Sequence, residues 1–126
     1  MREYIAYRGR RFTIEWYFDA SGKSPSLEYY LGLSNLERRR VLVLFKRMGD
    51  FGLIMDKTKF RNEGDKIFAF KPQPNRFLSF FFEGSKIVVT NACRKTSNKL
   101  PRNEKNKARE YRADYIDRIN GGVYYE

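Results

Sequence analysis

The stretch Lys66–Cys93, KIFAFKPQPNRFLSFFFEGSKIVVTNAC, decides the fold. It holds three strand-like runs, Lys66–Lys71, Arg76–Phe82 and Lys86–Cys93. Pro72 to Asn75 forms the first link and Glu83-Gly84-Ser85 the second. Links this short join neighbouring antiparallel strands, because a parallel return needs a long crossover. The middle run is almost wholly apolar from Phe77 to Phe82, which predicts a strand covered on both faces.

Upstream, residues 1–18 read as two extended pieces with a turn at Arg8-Gly9-Arg10. Phe12, Ile14 and Trp16 alternate with polar residues, the pattern of a half-buried strand. Ser24-Pro25 supplies an N-cap and a first helical residue whose missing N–H costs nothing. Leu27, Tyr30 and Leu31 give that helix a short apolar face. Ser34-Asn35-Leu36-Glu37 is a capping-box pattern, and Val41, Leu44, Phe45 and Met48 follow at helical spacing until Gly52. Two helices in a hairpin are expected. Leu53 to Asp65 reads as a polar connection.

Downstream, Arg94 to Asn103 is polar and basic. Pro101 opens a last helix with Ala108, Tyr111, Tyr115 and Ile119 inward, and Gly121 to Glu126 reads as a loose tail. The expected class is α+β: a mostly antiparallel sheet with a helical hairpin after the first strands and a C-terminal helix. The 126 residues suit one domain over 1–126, with an ordered core at about 3–119.

Composition narrows the function. Aromatic residues make up 17% of the chain, enough for one compact core and too many for wholesale disorder. The formal charge is +11, beyond the net charge of about 2–8 that solubility requires, so an anionic partner such as nucleic acid is expected. The single cysteine, Cys93, ends an apolar run and reads as a core residue. With no histidine, Ser-His-Asp triads and most zinc sites are excluded, so no metal and no cofactor are expected. The N-terminus lacks the apolar stretch of a signal peptide and no run is long enough to span a membrane, so a cytoplasmic location is expected.

The cations fall into groups. Arg94, Lys95, Lys99, Arg102, Lys105, Lys107, Arg109 and Arg112 lie close together in the chain. A second group is Lys57, Lys59, Arg61 and Lys66, and Lys71 faces Arg76 across a turn. Strand pairing can gather them at one end of the sheet. Such a cleft suits RNA cleavage, in which the 2′-hydroxyl attacks the adjacent phosphorus and the transition state carries extra negative charge on its oxygens. Arginine holds two phosphate oxygens at once, and lysine acts as a point charge. Without histidine a lysine is the candidate base, and Lys95, beside Arg94, is the crowded one that the sequence offers.

Several segments in order resemble the RelE/HigB toxin superfamily, in particular its phage-derived HigB-like branch. They are Arg38–Gly49, Lys57–Arg61, Phe70-Lys71 followed by Arg76-Phe77-Leu78, Lys86–Thr90 and Arg94–Pro101. The resemblance implies a microbial-RNase-type fold and cleavage of mRNA, often in the ribosomal A site. It also implies an antitoxin partner, usually with a helix-turn-helix domain. Arg76 looks like the arginine that opens the central strand and contacts the scissile phosphate. Arg94 and Lys95 are similar in place to the basic pair after the last strand, and Lys71 and Lys66 fall near basic positions of the strand before. Lys57, Lys59, Arg61, Lys66, Lys99 and Arg102 are the expected RNA-binding residues. The chain departs from its relatives in having neither Tyr nor His at Asn91–Asn98. Two other readings are a gyrase-inhibiting toxin of the ParE type, whose members lack the clustered basic cleft, and a plain RNA-binding module with aromatic stacking platforms.

Overall fold

A computed structural model describes residues 2–126; Met1, which begins the expected extended N-terminal piece, lies outside them. The elements are β1 (Ile5–Arg8), β2 (Thr13–Trp16), α1 (Pro25–Leu31), α2 (Asn35–Phe51), β3 (Phe60–Asn62), β4 (Phe68–Phe70), β5 (Asn75–Phe82), β6 (Lys86–Arg94) and α3 (Arg102–Asn120). They build a six-stranded sheet in the order β1-β2-β6-β5-β4-β3. Every neighbouring pair is antiparallel except β2 and β6, which run parallel, so the sheet is mixed. The hairpin α1–α2 packs on one face and α3 on the other.

Local chemistry fixes the helix starts. The Ser24 hydroxyl accepts from the Leu27 N–H at 3.3 Å with Pro25 following it, and the Ser34 hydroxyl accepts from the Glu37 N–H at 3.2 Å. Gly52, at φ 93°, lets the chain leave α2. Val41, Leu44, Phe45 and Met48 then meet Ile14, Trp16, Phe77, Ile87 and Val89 in the larger core. On the other face Phe80, Val88 and Tyr17 meet Tyr115. The middle strand β5 is therefore covered on both sides, as its apolar run requires. Among the described residues no helix is long and apolar enough to cross a membrane.

Three expectations change. The connection Leu53–Asp65 contains a strand, β3, because Phe60 is buried against Phe70 while its neighbours stay polar. The run Lys66–Lys71 is a strand only over Phe68–Phe70; Asp65 and Lys66 adopt φ of 53° and 62° in the β3–β4 turn. The C-terminal tail is docked rather than loose. Gly122, at φ 71°, helps reverse the chain after α3, and Tyr124 returns to the core at 1% exposure. Its hydroxyl accepts from the Phe18 N–H at 2.9 Å, and Tyr125 donates to Glu15 at 2.7 Å.

Tyr124 fills space between β2 and α3, so Tyr124→Ala leaves a cavity. We expect it to cost about 3 kcal/mol, read as a lower urea midpoint with an unchanged slope. An unchanged midpoint would mean that the tail carries no part of the core.

Candidate nucleic-acid interface

The site begins with one extra residue in β6. Leu78 pairs with Asn91, but the next residue, Ser79, pairs with Val89, so Thr90 is bulged out of the ladder. Thr90 is fully buried, and its hydroxyl donates to the Leu78 carbonyl at 3.2 Å. Because side chains alternate along a strand, this insertion changes which face every later residue of β6 meets. Asn91 and Cys93 join Leu78 and Arg76 on the α3 face. Ala92 and Arg94 join Phe77 and Asn75 on the α1–α2 face.

Arg76 is the unusual member. It is 1% exposed and lies opposite Cys93. Its Nη2 donates to the carbonyls of Ser97 at 2.8 Å and Asn98 at 2.9 Å, while its Nε has no partner among the described residues. No ion pair among the described residues involves it. A buried guanidinium held by neutral carbonyls keeps most of its desolvation cost, which an anion would offset. The segment 95–101 forms a cover over this charge.

Lys71 lies within reach of the charges of both Arg76 and Lys95. The Lys95 N–H donates to the Pro74 carbonyl at 2.7 Å, which carries β6 pairing one residue further and sets Lys95 against the start of β5. Lys71 lies where β4 leaves the sheet, and its Nζ reaches the Lys57 carbonyl at 3.4 Å. Burial pushes the Lys71 ammonium below the usual lysine range, and the Arg76 charge adds to this. Arg61 and Lys95 push the same way, against Glu63.

Arg94 goes elsewhere. It pairs with Asn75 in the ladder and reaches the Glu37 carboxylate at 3.5 Å on the α2 face. Glu37 also accepts from the Asn75 amide at 3.1 Å, and Asn75 accepts from the Tyr29 hydroxyl at 2.6 Å. The hydrogen bond from Asn75 leads in holding the Glu37 carboxyl below its ordinary range, with Ser34 and Arg94 contributing. Arg94 and Lys95 thus divide between two faces rather than acting as a pair. Lys71 is the lysine that burial and the surrounding cations, Lys95 among them, hold below its ordinary range.

The expected RNA-binding residues also divide. Lys57, Lys59 and Arg61 lead into and form β3, next to Lys71. Lys99 and Arg102 belong to the cover segment and the first turn of α3. Lys66 does not join them: it lines a separate cleft with Phe68, Phe80, Arg112 and Ile116. Cys93 is half-buried, and burial raises its thiol pKa, so it is no ready nucleophile.

A sequence model of a known family, described as phage derived protein Gp49-like (DUF891), matches residues 28–113. That is more than half of the chain. The chain belongs to the phage-derived Gp49-like family. No curated protein matches it. The Gp49-like span runs from α1 into α3, so it includes Lys71, Arg76, the Thr90 bulge and Lys95 and leaves β1 and β2 outside.

Sequence reasoning missed the residues that position these cations. Asn75 lies in the expected turn and Glu37 in the expected capping box, and neither pattern predicts their contact with each other. Asn91, whose amide donates to both the backbone and side chain of Glu104, docks the start of α3. A polar residue inside an apolar run was the available signal, since a buried amide needs partners. If Arg76 fastens the cover, Arg76→Met will speed amide hydrogen exchange across residues 95–100 at least about tenfold, a loss of the order of two hydrogen bonds. Exchange as slow as in the unaltered chain would show that the cover holds itself.

Proposed function

We propose that this Gp49-like protein is the toxin of a type II toxin–antitoxin pair, built on a RelE-like microbial-RNase-type fold and acting as an mRNA-cleaving endoribonuclease. The Gp49-like family is in general one of RelE/HigB-type toxins, which supports the coarse reading. One observation carries the finer one: Arg76 is buried without a counter-charge, beside Lys71 and Lys95.

In the proposed reaction an RNA phosphate takes the place of the Ser97 and Asn98 carbonyls at Arg76. Lys71, as a neutral amine, accepts the proton of the 2′-hydroxyl. The 2′-oxygen bonds to phosphorus, and the bond to the 5′-oxygen breaks. The leaving oxygen takes a proton, from Lys95 in its ammonium form. The products are a 2′,3′-cyclic phosphate and a 5′-hydroxyl end. Arg76 stabilises the charge that gathers on the two free phosphoryl oxygens. Lys57, Lys59, Arg61, Lys99 and Arg102 hold the flanking phosphates. A deoxyribose strand lacks the nucleophile and is not cut. The proposed setting is the ribosomal A site in the cytoplasm, and the proposed regulator is an antitoxin with a helix-turn-helix domain.

The test is purified protein with translating ribosomes, with mRNA 5′ ends mapped by primer extension. We expect cuts within codons, slowed by at least about 100-fold in Arg76→Ala. Because the reactive form of Lys71 is the neutral amine, the single-turnover rate should rise with pH through neutrality. Lys71→Arg keeps the charge but cannot accept the proton, so its rate should fall by roughly 100-fold and lose that rise. Intact mRNA with damaged DNA would favour the gyrase reading, and binding without cleavage a plain RNA-binding module.

A further inference from the structure

Among the described residues nothing covers the outer face of α2. Leu36, Arg40, Val43, Arg47 and Phe51 succeed one another at steps of three or four residues and form one stripe, turned away from Val41, Phe45 and Met48 in the core. Leu36 and Val43 are more than half exposed, and Phe51 is 74% exposed. Past Gly52 the apolar surface continues through Leu53 to Met55, which is 83% exposed. Apolar side chains in such a contiguous run mark an interaction surface. Two open clefts accompany the stripe. One, of about 580 Å³, lies beside Arg39, Arg40 and Val43 and ends at Lys71. The other, of about 320 Å³, lies beside Arg47, Phe51, Leu53 and Met55.

The arginines on this face have no carboxylate partner, and Arg40 donates only to the Gln73 carbonyl, at 3.4 Å, among the described residues. Arg39, Arg40 and Arg47 form no ion pair among the described residues. The carboxylates of α2 are engaged elsewhere, Glu37 by Asn75 and Arg94, and Asp50 by Tyr7 and Lys46. Asp56, which borders the second cleft, is taken up by the Thr58 N–H and hydroxyl.

We infer that this face docks an acidic amphipathic helix of a partner protein. Its apolar side would cover Val43, Phe51, Leu53 and Met55, and its carboxylates would meet Arg39, Arg40 and Arg47. A helix laid in a groove matches the spacing of these contacts. A second copy of this chain would bring Arg40 and Arg47 against their own kind on molecules of charge +11. Nucleic acid would satisfy the arginines but leave the aliphatic Leu53 and Met55 without a stacking role. The inference does not rest on the RNA reading, because none of the docking residues takes part in the proposed cleavage.

The probe is a fluorescein-labelled, end-capped peptide of about four helical turns, with leucine at every third or fourth position and glutamate between. Its binding to the full chain is followed by fluorescence anisotropy, beside a control of the same composition with the leucines out of helical register. We expect saturable binding that is at least about tenfold weaker for the control, for Phe51→Ser combined with Met55→Ser, and for Arg40→Glu combined with Arg47→Glu. The serine pair lies at open positions, so its thermal melting and its mRNA cleavage should stay unchanged. That separates a failure of this inference from a failure of the nuclease reading. Absence of saturable binding would overturn it, as would equal affinity for the control. So would a homodimer dispersed by the serine pair, or RNA affinity lost in it.

Discussion

Everything at the basic end of this molecule depends on the pairing of β5 with β6 and on the single residue that interrupts it. Thr90 has no partner in β5, and its hydroxyl compensates by bonding the Leu78 carbonyl. That one insertion reverses the parity of β6. Without it, Arg94 would face α3 and Lys95 would face α2. With it, Lys95 falls on the face that holds Arg76 and Lys71, and Arg94 goes to Glu37. Bulges often mark places where a strand must aim a side chain rather than merely continue a ladder.

The two faces of the strand end consequently have different chemistry. On the α2 side Arg94 is matched: with Glu37, Asn75 and Tyr29 it forms one polar chain. On the α3 side Arg76 has only carbonyls as hydrogen-bond partners, and its Nε has none among the described residues. A fold that satisfies one cation with a carboxylate and leaves its neighbour with none has concentrated unsatisfied positive charge in one spot. That imbalance is costly for the folded chain and favourable for binding a phosphate. Burial, with the Arg76 charge adding to it, also holds Lys71 below the usual lysine range, so the neutral amine that can accept a proton is more accessible there.

Much of this architecture was legible from residues alone. Ser24-Pro25 and Ser34 announced both helices of the hairpin, and the apolar run Phe77–Phe82 announced the buried strand. What stayed hidden was non-local. The parallel partnership of β2 with β6 leaves no signature in either segment. Strand β3 offers one buried residue, Phe60, within a charged stretch, too little for a periodic signal. Tyr124 gains its burial only because the chain turns at Gly122 and meets Phe18, more than a hundred residues earlier. Of the candidate site, the nearness of Lys71 to Arg76 follows from strand order, whereas the face that Lys95 takes depends on the bulge. The departure of Arg94 could not be foreseen, since alternation predicts faces only when no bulge intervenes.

The sorting of cations by the Thr90 bulge is tested most directly by double-mutant cycles on the single-turnover rate of mRNA cleavage, one for Arg76→Ala with Lys95→Ala and one for Arg76→Ala with Arg94→Ala. Groups that act on one phosphate should be coupled, by about 1 kcal/mol or more, while groups on opposite faces should add within about 0.5 kcal/mol. The account predicts coupling in the first cycle and additivity in the second. Additive effects of Arg76 and Lys95 together with coupling between Arg76 and Arg94 would contradict it.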